Sequence, residues 1–155
     1  AISRFAQQSL VMAPEGALAP EAVEAAHPEA LTEGTRAQIP EGFAIPAAWH
    51  LRARQFRRHL RDRLDGVLGD ADALVLPTAP TTAPSAVPEV GSGGDLVQML
   101  CAAPFNLTGQ PALPLPLPRV GSPCPAGLQL AGRRGGEAPL LALAAAVESA
   151  LGARD

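Results

Sequence analysis

Leucine and proline alternate along residues 113–118, and this stretch constrains the fold more than any other part of the sequence. An apolar residue at every second position is typical of a β-strand with one buried face. Proline has no N–H group, so the three prolines cannot donate hydrogen bonds to a neighbouring strand. We therefore predict an edge strand, or one that pairs mainly through its carbonyl groups. It is preceded by a tight loop at 106–111 and followed by a second short strand at 127–131.

A long amphipathic helix is predicted at residues 46–68. Apolar side chains recur there at steps of three and four residues, as on one face of a helix; they are Trp49, Ala53, Phe56, Leu60, Leu64 and Val67. The side chains of Arg54, Arg58 and Arg61 fall largely on the other side. Because acidic residues are interspersed with them, we predict that this side is a solvated basic face rather than an anion site.

Two more apolar segments complete the predicted architecture. Residues 73–76 form a continuous apolar run, which suits a strand buried on both faces of a sheet. Residues 137–151 carry leucine and alanine on one stripe and predict a closing helix. The order of elements indicates an α/β protein with about three strands and flanking helices. Three strands make a poor independent sheet, so we expect a portion of a larger α/β body.

Composition excludes several classes of function. The net charge of −3 gives no support for a nucleic-acid or membrane surface, and the apolar runs are too short to span a bilayer. No signal-peptide pattern opens the sequence, and two cysteines are no disulfide framework, so we expect a cytoplasmic protein. All twelve basic residues are arginines, so no mechanism can use a lysine of this chain.

Most residues that could carry chemistry are better explained structurally. The Gly/Ser run at 91–94 has no base at a fixed spacing and is predicted to be a connector. The three histidines do not pair with other ligands at metal-binding spacing, and no metal site or cofactor is predicted. Cys101 and Cys124 have no neighbouring lysine or histidine to lower the thiol pKa, so we expect them to be structural.

Two groups of polar residues leave a choice open. Threonines follow the strand at 73–76, where side chains can line a ligand crevice or simply bond the backbone of a turn; they are Thr78, Thr81 and Thr82. Before the leucine–proline strand, the side chains of Asn106, Thr108 and Gln110 could hold a turn or line a pocket. Gly109 could supply a positive φ there.

Three motifs in this order resemble the C-terminal third of the amidase signature family: D-A-L-V-L-P-T-A-P at 72–80, N-L-T-G-Q-P-A at 106–112 and P-A-G-L-Q-L-A-G at 125–132. The resemblance is clearest over 27–151, and it makes residues 1–155 the C-terminal segment of a single domain. It implies a mixed-sheet α/β/α fold and hydrolysis of amide C–N bonds by a serine, a cis-serine and a lysine. Those three residues precede this segment in the family, so no catalytic residue is transferred.

The resemblance also implies how this segment would take part. It would supply sheet strands and one wall of the pocket for a small-molecule amide, with wall residues Thr78, Thr81, Phe105, Asn106 and Thr108. Its partner would be the N-terminal catalytic half of the same fold, and a homodimer is left open. The isolated chain should then be inactive.

Three alternatives remain at this point. Residues 96–103 lack the acid that tends to precede the N-L-x-G loop in the amidotransferase branch of the family that acts on tRNA-linked amino acids, which favours a general amidase. A non-catalytic scaffold derived from an amidase would instead dock on another protein chain through its apolar helix stripes. A nucleic-acid binder using the basic helix is the weakest alternative.

Overall fold

The computed structural model describes residues 10–11, 13–17, 27–86, 97–117 and 124–152. A short 3-10 turn, Pro28–Ala30, precedes the regular elements. The helices and strands are α1 (Glu33–Phe43), α2 (Ala47–Leu68), β1 (Leu74–Pro77), α3 (Ala103–Thr108), β2 (Ala112–Leu117), β3 (Ala126–Ala131) and α4 (Glu137–Gly152). Residues 10–11, 13–17 and 97–99 are also helical. The predicted connector at 91–94 lies outside the described residues.

The chain divides into two compact units, Ala1–Leu60 and Arg61–Asp155. In the first unit, helical residues 13–17 approach the end of α1 closely. A Cβ atom on Gly42 would lie 2.4 Å from the carbonyl oxygen of Ala13, so the absence of a side chain permits this approach. His50 Nδ1 lies 3.0 Å from the Leu10 carbonyl oxygen and adds a second tie within the unit.

The second unit contains a three-stranded antiparallel sheet in the order β1-β3-β2. The leucine–proline segment is an edge strand, as its prolines predict. The Gly132 amide donates to the Pro111 carbonyl oxygen at 2.9 Å. The backbone N–H and C=O groups of odd-numbered residues in this strand therefore point toward β3. Because hydrogen-bonding direction alternates along an antiparallel strand, the backbone groups of Pro114 and Pro116 point away from β3, where pairing needs no N–H group.

Helix α4 covers one face of this sheet and forms its core. Leu115 and Leu130 from the sheet pack with Leu140 and Ala144 of the helix, and all four are at most 6% exposed. Half-buried Leu113, Leu128, Leu143 and Val147, together with Ala73, surround them. The predicted closing helix and its stripe are therefore confirmed, as is the α/β class with three strands and flanking helices.

The prediction that residues 73–76 form a strand buried on both faces was wrong. Strand β1 is the other edge of the sheet, and its residues alternate between half-buried and exposed. Val75 shares a face with Leu130 yet is 64% exposed. The core under α4 draws its buried sheet residues from β2 and β3, so Val75 is left uncovered.

Helix α2 differs in part from its predicted stripe. Ala53 is buried, and Phe56, Leu60 and Leu64 are half-buried, as expected. Trp49 and Val67 are instead more than half exposed, whereas Leu68, absent from the predicted stripe, is 1% exposed. Among the described residues, every helix is too short or too polar to cross a lipid bilayer.

Candidate functional site

The predicted loop at 106–111 begins as the short helix α3. Pro104 occupies its first turn, where a missing N–H costs nothing. Gly109 ends the helix with φ of 76°, and its amide donates to the Phe105 carbonyl oxygen at 2.7 Å. This left-handed conformation strongly favours glycine, and the positive φ predicted for this residue is confirmed.

Helix α3 holds Asn106 between buried neighbours. Phe105 and Leu107 are 4% and 2% exposed, and Thr108 is 0% exposed, whereas Asn106 is exposed. The Thr108 hydroxyl donates to the Pro104 carbonyl oxygen, 2.8 Å away, so it bonds its own helix. The packed residues therefore fix the helix, and the Asn106 carboxamide is presented at its surface.

The two candidate threonines after β1 differ in their surroundings. The Thr78 amide donates to the Gly127 carbonyl oxygen at 2.8 Å and continues the β1–β3 ladder. The Thr78 hydroxyl oxygen is buried and has no hydrogen-bond partner among the described residues. Thr81 is exposed and accepts a hydrogen bond from Gln98 Nε2 at 2.7 Å.

The sheet face opposite α4 connects the two groups of candidates. The strand register places Thr78 on the same face as Gln129, because directly opposed residues of antiparallel strands share a face. Gln129 is 4% exposed, and its Nε2 donates to the Cys101 carbonyl oxygen at 3.1 Å. The chain leading into α3 thus bonds this face at Cys101, while its Gln98 reaches Thr81.

Gln129 was not among the predicted site residues. Its one signal in the sequence is a polar residue between Leu128 and Leu130 in a strand that is otherwise apolar. The structure gives that residue a defined role, which is to bind the segment that precedes α3.

The prediction that Arg61 belongs to a solvated basic face was wrong. Arg61 is half-buried, and its Nε donates to the Thr108 carbonyl oxygen at 2.7 Å. Arg54 and Arg58, on the same helix, are exposed as predicted. Arg61 differs because the C-terminal carbonyl groups of α3 need hydrogen-bond donors from outside that helix.

The described residues contain no cluster of three or more His, Cys, Asp or Glu side chains that could hold a metal ion. Cys101 and Cys124 are both thiols, and both are half-buried. The assembled polar groups are hydroxyls, carboxamides and backbone carbonyls. Such groups can bind and orient a neutral polar ligand through hydrogen bonds.

Comparison with known proteins supplies the chemical context. Fatty acid amide hydrolase of Arabidopsis thaliana is 34% identical over 133 residues, which are 81% of this chain and 22% of that protein. The putative amidase AmiB2 of Mycobacterium tuberculosis is 37% identical over 134 residues, which are 81% of this chain and 28% of that protein. A glutamyl-tRNA(Gln) amidotransferase component of Wolinella succinogenes is 33% identical over 109 residues, which are 68% of this chain and 23% of that protein. The chain thus spans less than a third of the length of these curated relatives.

The solved structures and the family model agree with these relatives. A crystal structure of an amidase superposes with a TM-score of 0.71 at 28% identity, and the match covers 95% of this chain and 35% of that one. The model of the Amidase family matches residues 3–141. The resemblance indicated by the three motifs is thereby confirmed, and the chain belongs to the Amidase family.

Proposed function

We propose that this chain forms one wall of the substrate site in an enzyme that hydrolyses amide C–N bonds. The observation that carries the proposal is the presentation of Asn106, the exposed residue of α3 beside three neighbours that are at most 4% exposed. A carboxamide both donates and accepts hydrogen bonds, which suits recognition of an amide group. Family membership supports the same activity.

The five candidate residues would have different roles in this wall. Asn106 and Thr81 are exposed and would contact the substrate directly. Thr78 would turn its unpartnered hydroxyl to the ligand or to a bound water. Phe105 and Thr108 are buried, and would shape the wall and hold it in place.

The catalytic groups would come from elsewhere in the enzyme. A serine, cis-serine and lysine mechanism needs a lysine, and this chain has none. The relatives extend well beyond the part that this chain matches, so their remaining length is where such groups would lie. Residues 1–155 would then add binding surface without a nucleophile–base pair.

We expect purified residues 1–155 to release no ammonia from simple amides. The test compares the chain with an equal concentration of an intact amidase on one acyl amide series. Hydrolysis by this chain that a serine-directed covalent inhibitor abolishes would contradict the proposal that the catalytic groups lie elsewhere.

Replacing Asn106 with alanine in the intact enzyme should raise KM for amides about threefold to tenfold, because one or two hydrogen bonds to the substrate are lost. The melting temperature should stay within about one degree, since exposed side chains contribute little to stability. Steady-state kinetics and thermal unfolding measure the two effects, and Gln55→Ala, an exposed carboxamide on α2, is the matched control. A drop in melting temperature with unchanged kinetics would make Asn106 purely structural.

The partner of this segment would be the remainder of the amidase body, paired at the free edge of β1. Thr78 bonds β3, so by alternation the N–H and C=O groups of Val75 point away from β3 and are available to a further strand. The free edge of β2 carries Pro114 and Pro116 instead, which block a ladder. A scaffold lacking activity would instead dock through its apolar helix stripes, and amide hydrolysis by the intact protein distinguishes the two. Homodimer formation stays a prediction.

The substrate class would be amides with an uncharged acyl group. The described residues 97–103 contain no acid, and the side chains of Val97, Met99 and Leu100 are at least 39% exposed beside Gln98, which bonds Thr81. An apolar surface of this kind favours an aliphatic or aromatic acyl group over an amino acid. The relatives include both an amide hydrolase and an amidotransferase component, so kinetics on the two substrate classes are the test.

A further inference from the structure

The second unit contains a polar stripe on α2 that contacts two loops at one end of the sheet. Arg61, Asp65 and Gly69 follow one another at intervals of four residues, from the last two turns of the helix to the residue just beyond it. Residues at this spacing lie on one side of a helix. We call these three residues the α2 stripe.

The first contact of the stripe is with the C-terminus of α3. Arg61 Nε donates to the Thr108 carbonyl oxygen at 2.7 Å across a separation of 47 residues in sequence. That carbonyl is among the last of α3, which have no partner within the helix. A charged donor makes a stronger hydrogen bond than a neutral one, and this one is partly shielded from water. The guanidinium also lies beside Gly109, 3.7 Å from the position a Cβ atom would take.

The second contact is made by the Asp65 carboxylate, which joins both loops. Its Oδ1 accepts a hydrogen bond from Gln110 Nε2 at 3.3 Å, and its Oδ2 pairs with Arg134 Nη2 at 2.6 Å. Gln110 precedes β2 and Arg134 follows β3, and these two strands are paired. Arg133 donates to the Gly69 carbonyl oxygen and extends the contact to the end of the stripe.

The contacts of the α2 stripe affect the orientation of α3 more than they affect the free energy of unfolding. Arg134 and Asp65 are 43% and 37% exposed, and an ion pair this exposed adds little to the free energy of unfolding. The geometric effect is larger, because α3 is only six residues long and Asn106 is two residues from the carbonyl that Arg61 holds. Internal hydrogen bonds do not set how a helix lies against its neighbours, so α3 depends on external contacts, which are the buried Phe105 and Leu107 and the bond from Arg61.

We infer that Arg61 and Asp65 are positioning residues, which hold α3 at the angle at which Asn106 meets the substrate. This inference rests on the proposed function, because it assigns the α2 stripe to the same wall. The two residues act through the carbonyl of Thr108 and the carboxamide of Gln110, and they do not contact the substrate themselves.

A double-mutant cycle in the intact enzyme tests the inference. Arg61→Ala should lower kcat/KM for amides about tenfold, because small displacements of a substrate-positioning group cost rate. In the background of Asn106→Ala the same substitution should cost less than about threefold, since the group it positions is gone. Asp65→Asn should give a smaller loss of the same kind. Arg63→Ala, an exposed arginine on the same helix, should change neither constant.

Each outcome of this cycle has a defined meaning. Equal losses of kcat/KM in both backgrounds would overturn the positioning role. A lower melting temperature, with kcat/KM unchanged at temperatures where the variant is folded, would overturn it as well. If Arg61→Ala yields too little folded protein, Arg61→Lys enters the same cycle, with an intermediate loss expected and full additivity again contradicting the inference. An intact wild-type protein that hydrolyses no amide would overturn the proposed function and this inference together. An active wild type with an unaffected Arg61→Ala would overturn the inference alone.

Discussion

Replacing Leu130 with alanine is expected to lower the free energy of unfolding by about 3 kcal/mol, because the substitution removes buried methyl groups and leaves a cavity. Leu130 is 1% exposed and lies on β3, the central strand, where it packs with Leu115, Leu140 and Ala144. Strands on both sides and α4 above restrict how far the surroundings can relax into the space. The loss in free energy of unfolding should therefore fall inside the usual range for buried leucines rather than below it.

Urea unfolding of the 155-residue chain, followed by far-UV circular dichroism, measures this effect. Leu141→Ala is the matched control, because Leu141 is the same residue type on the facing helix but is 62% exposed. It should change the free energy of unfolding by less than about 0.5 kcal/mol. Similar midpoints for the two variants would show that the sheet and α4 do not form the cooperative core described above.

The edge position of β2 could be predicted because its cause is local. Proline lacks an N–H wherever it occurs, so alternating prolines determine which side of the strand can face a neighbour. The leucines lie on the opposite face from the prolines and are the longer apolar side chains, so that face is the one expected to be buried, and Leu115 is 6% exposed. The positive φ of Gly109 has a local cause of the same kind, a helix end that needs a left-handed residue.

Strand β1 and the face of α2 could not be predicted so well, because their causes are distant in sequence. An apolar run shows that side chains prefer burial, but the run does not show whether a neighbour exists to bury them. Val75 is apolar and still 64% exposed, because it lies on an edge strand beyond the core that α4 covers. Helical periodicity placed Arg61 opposite the apolar stripe, yet its partner is a carbonyl 47 residues further along the chain.

The residues of the candidate wall were predicted from residue type and motif, but their positions relative to one another were not predicted. The sequence indicates polar groups after β1 and before β2, but the role of Gln129 in joining them depends on the strand register. Register follows from pairing across the sheet, which a single strand does not reveal. The predicted turn at Asn106 is also partly helical, because Pro104 starts a helix that packs Phe105 and Leu107 inward.

Replacing Gly127 with alanine should lower the free energy of unfolding by about 2 kcal/mol, because overpacking a close contact forces side chains or backbone to move. A Cβ atom on Gly127 would lie 2.6 Å from both Cβ and Oγ1 of Thr78, and Cβ cannot rotate away. The same pair is joined by the hydrogen bond from the Thr78 amide to the Gly127 carbonyl oxygen, so separating the strands would break the ladder.

The companion substitution Thr78→Gly makes the prediction specific to this contact. In that background Gly127→Ala should cost less than about 0.5 kcal/mol, because the atoms it would strike are absent and the coupling of two touching residues appears as non-additivity. Gly66→Ala on α2, where nothing lies within 4 Å, should instead stabilise the chain by about 0.5–1 kcal/mol. Urea unfolding of the wild type, the two single variants and the double variant completes the cycle, and Gly66→Ala is measured beside them as a control. Because Thr78 is also a candidate wall residue, an equal penalty in both backgrounds would mean that its side chain does not occupy the space above Gly127, and the placement of its hydroxyl in the wall would fail with it.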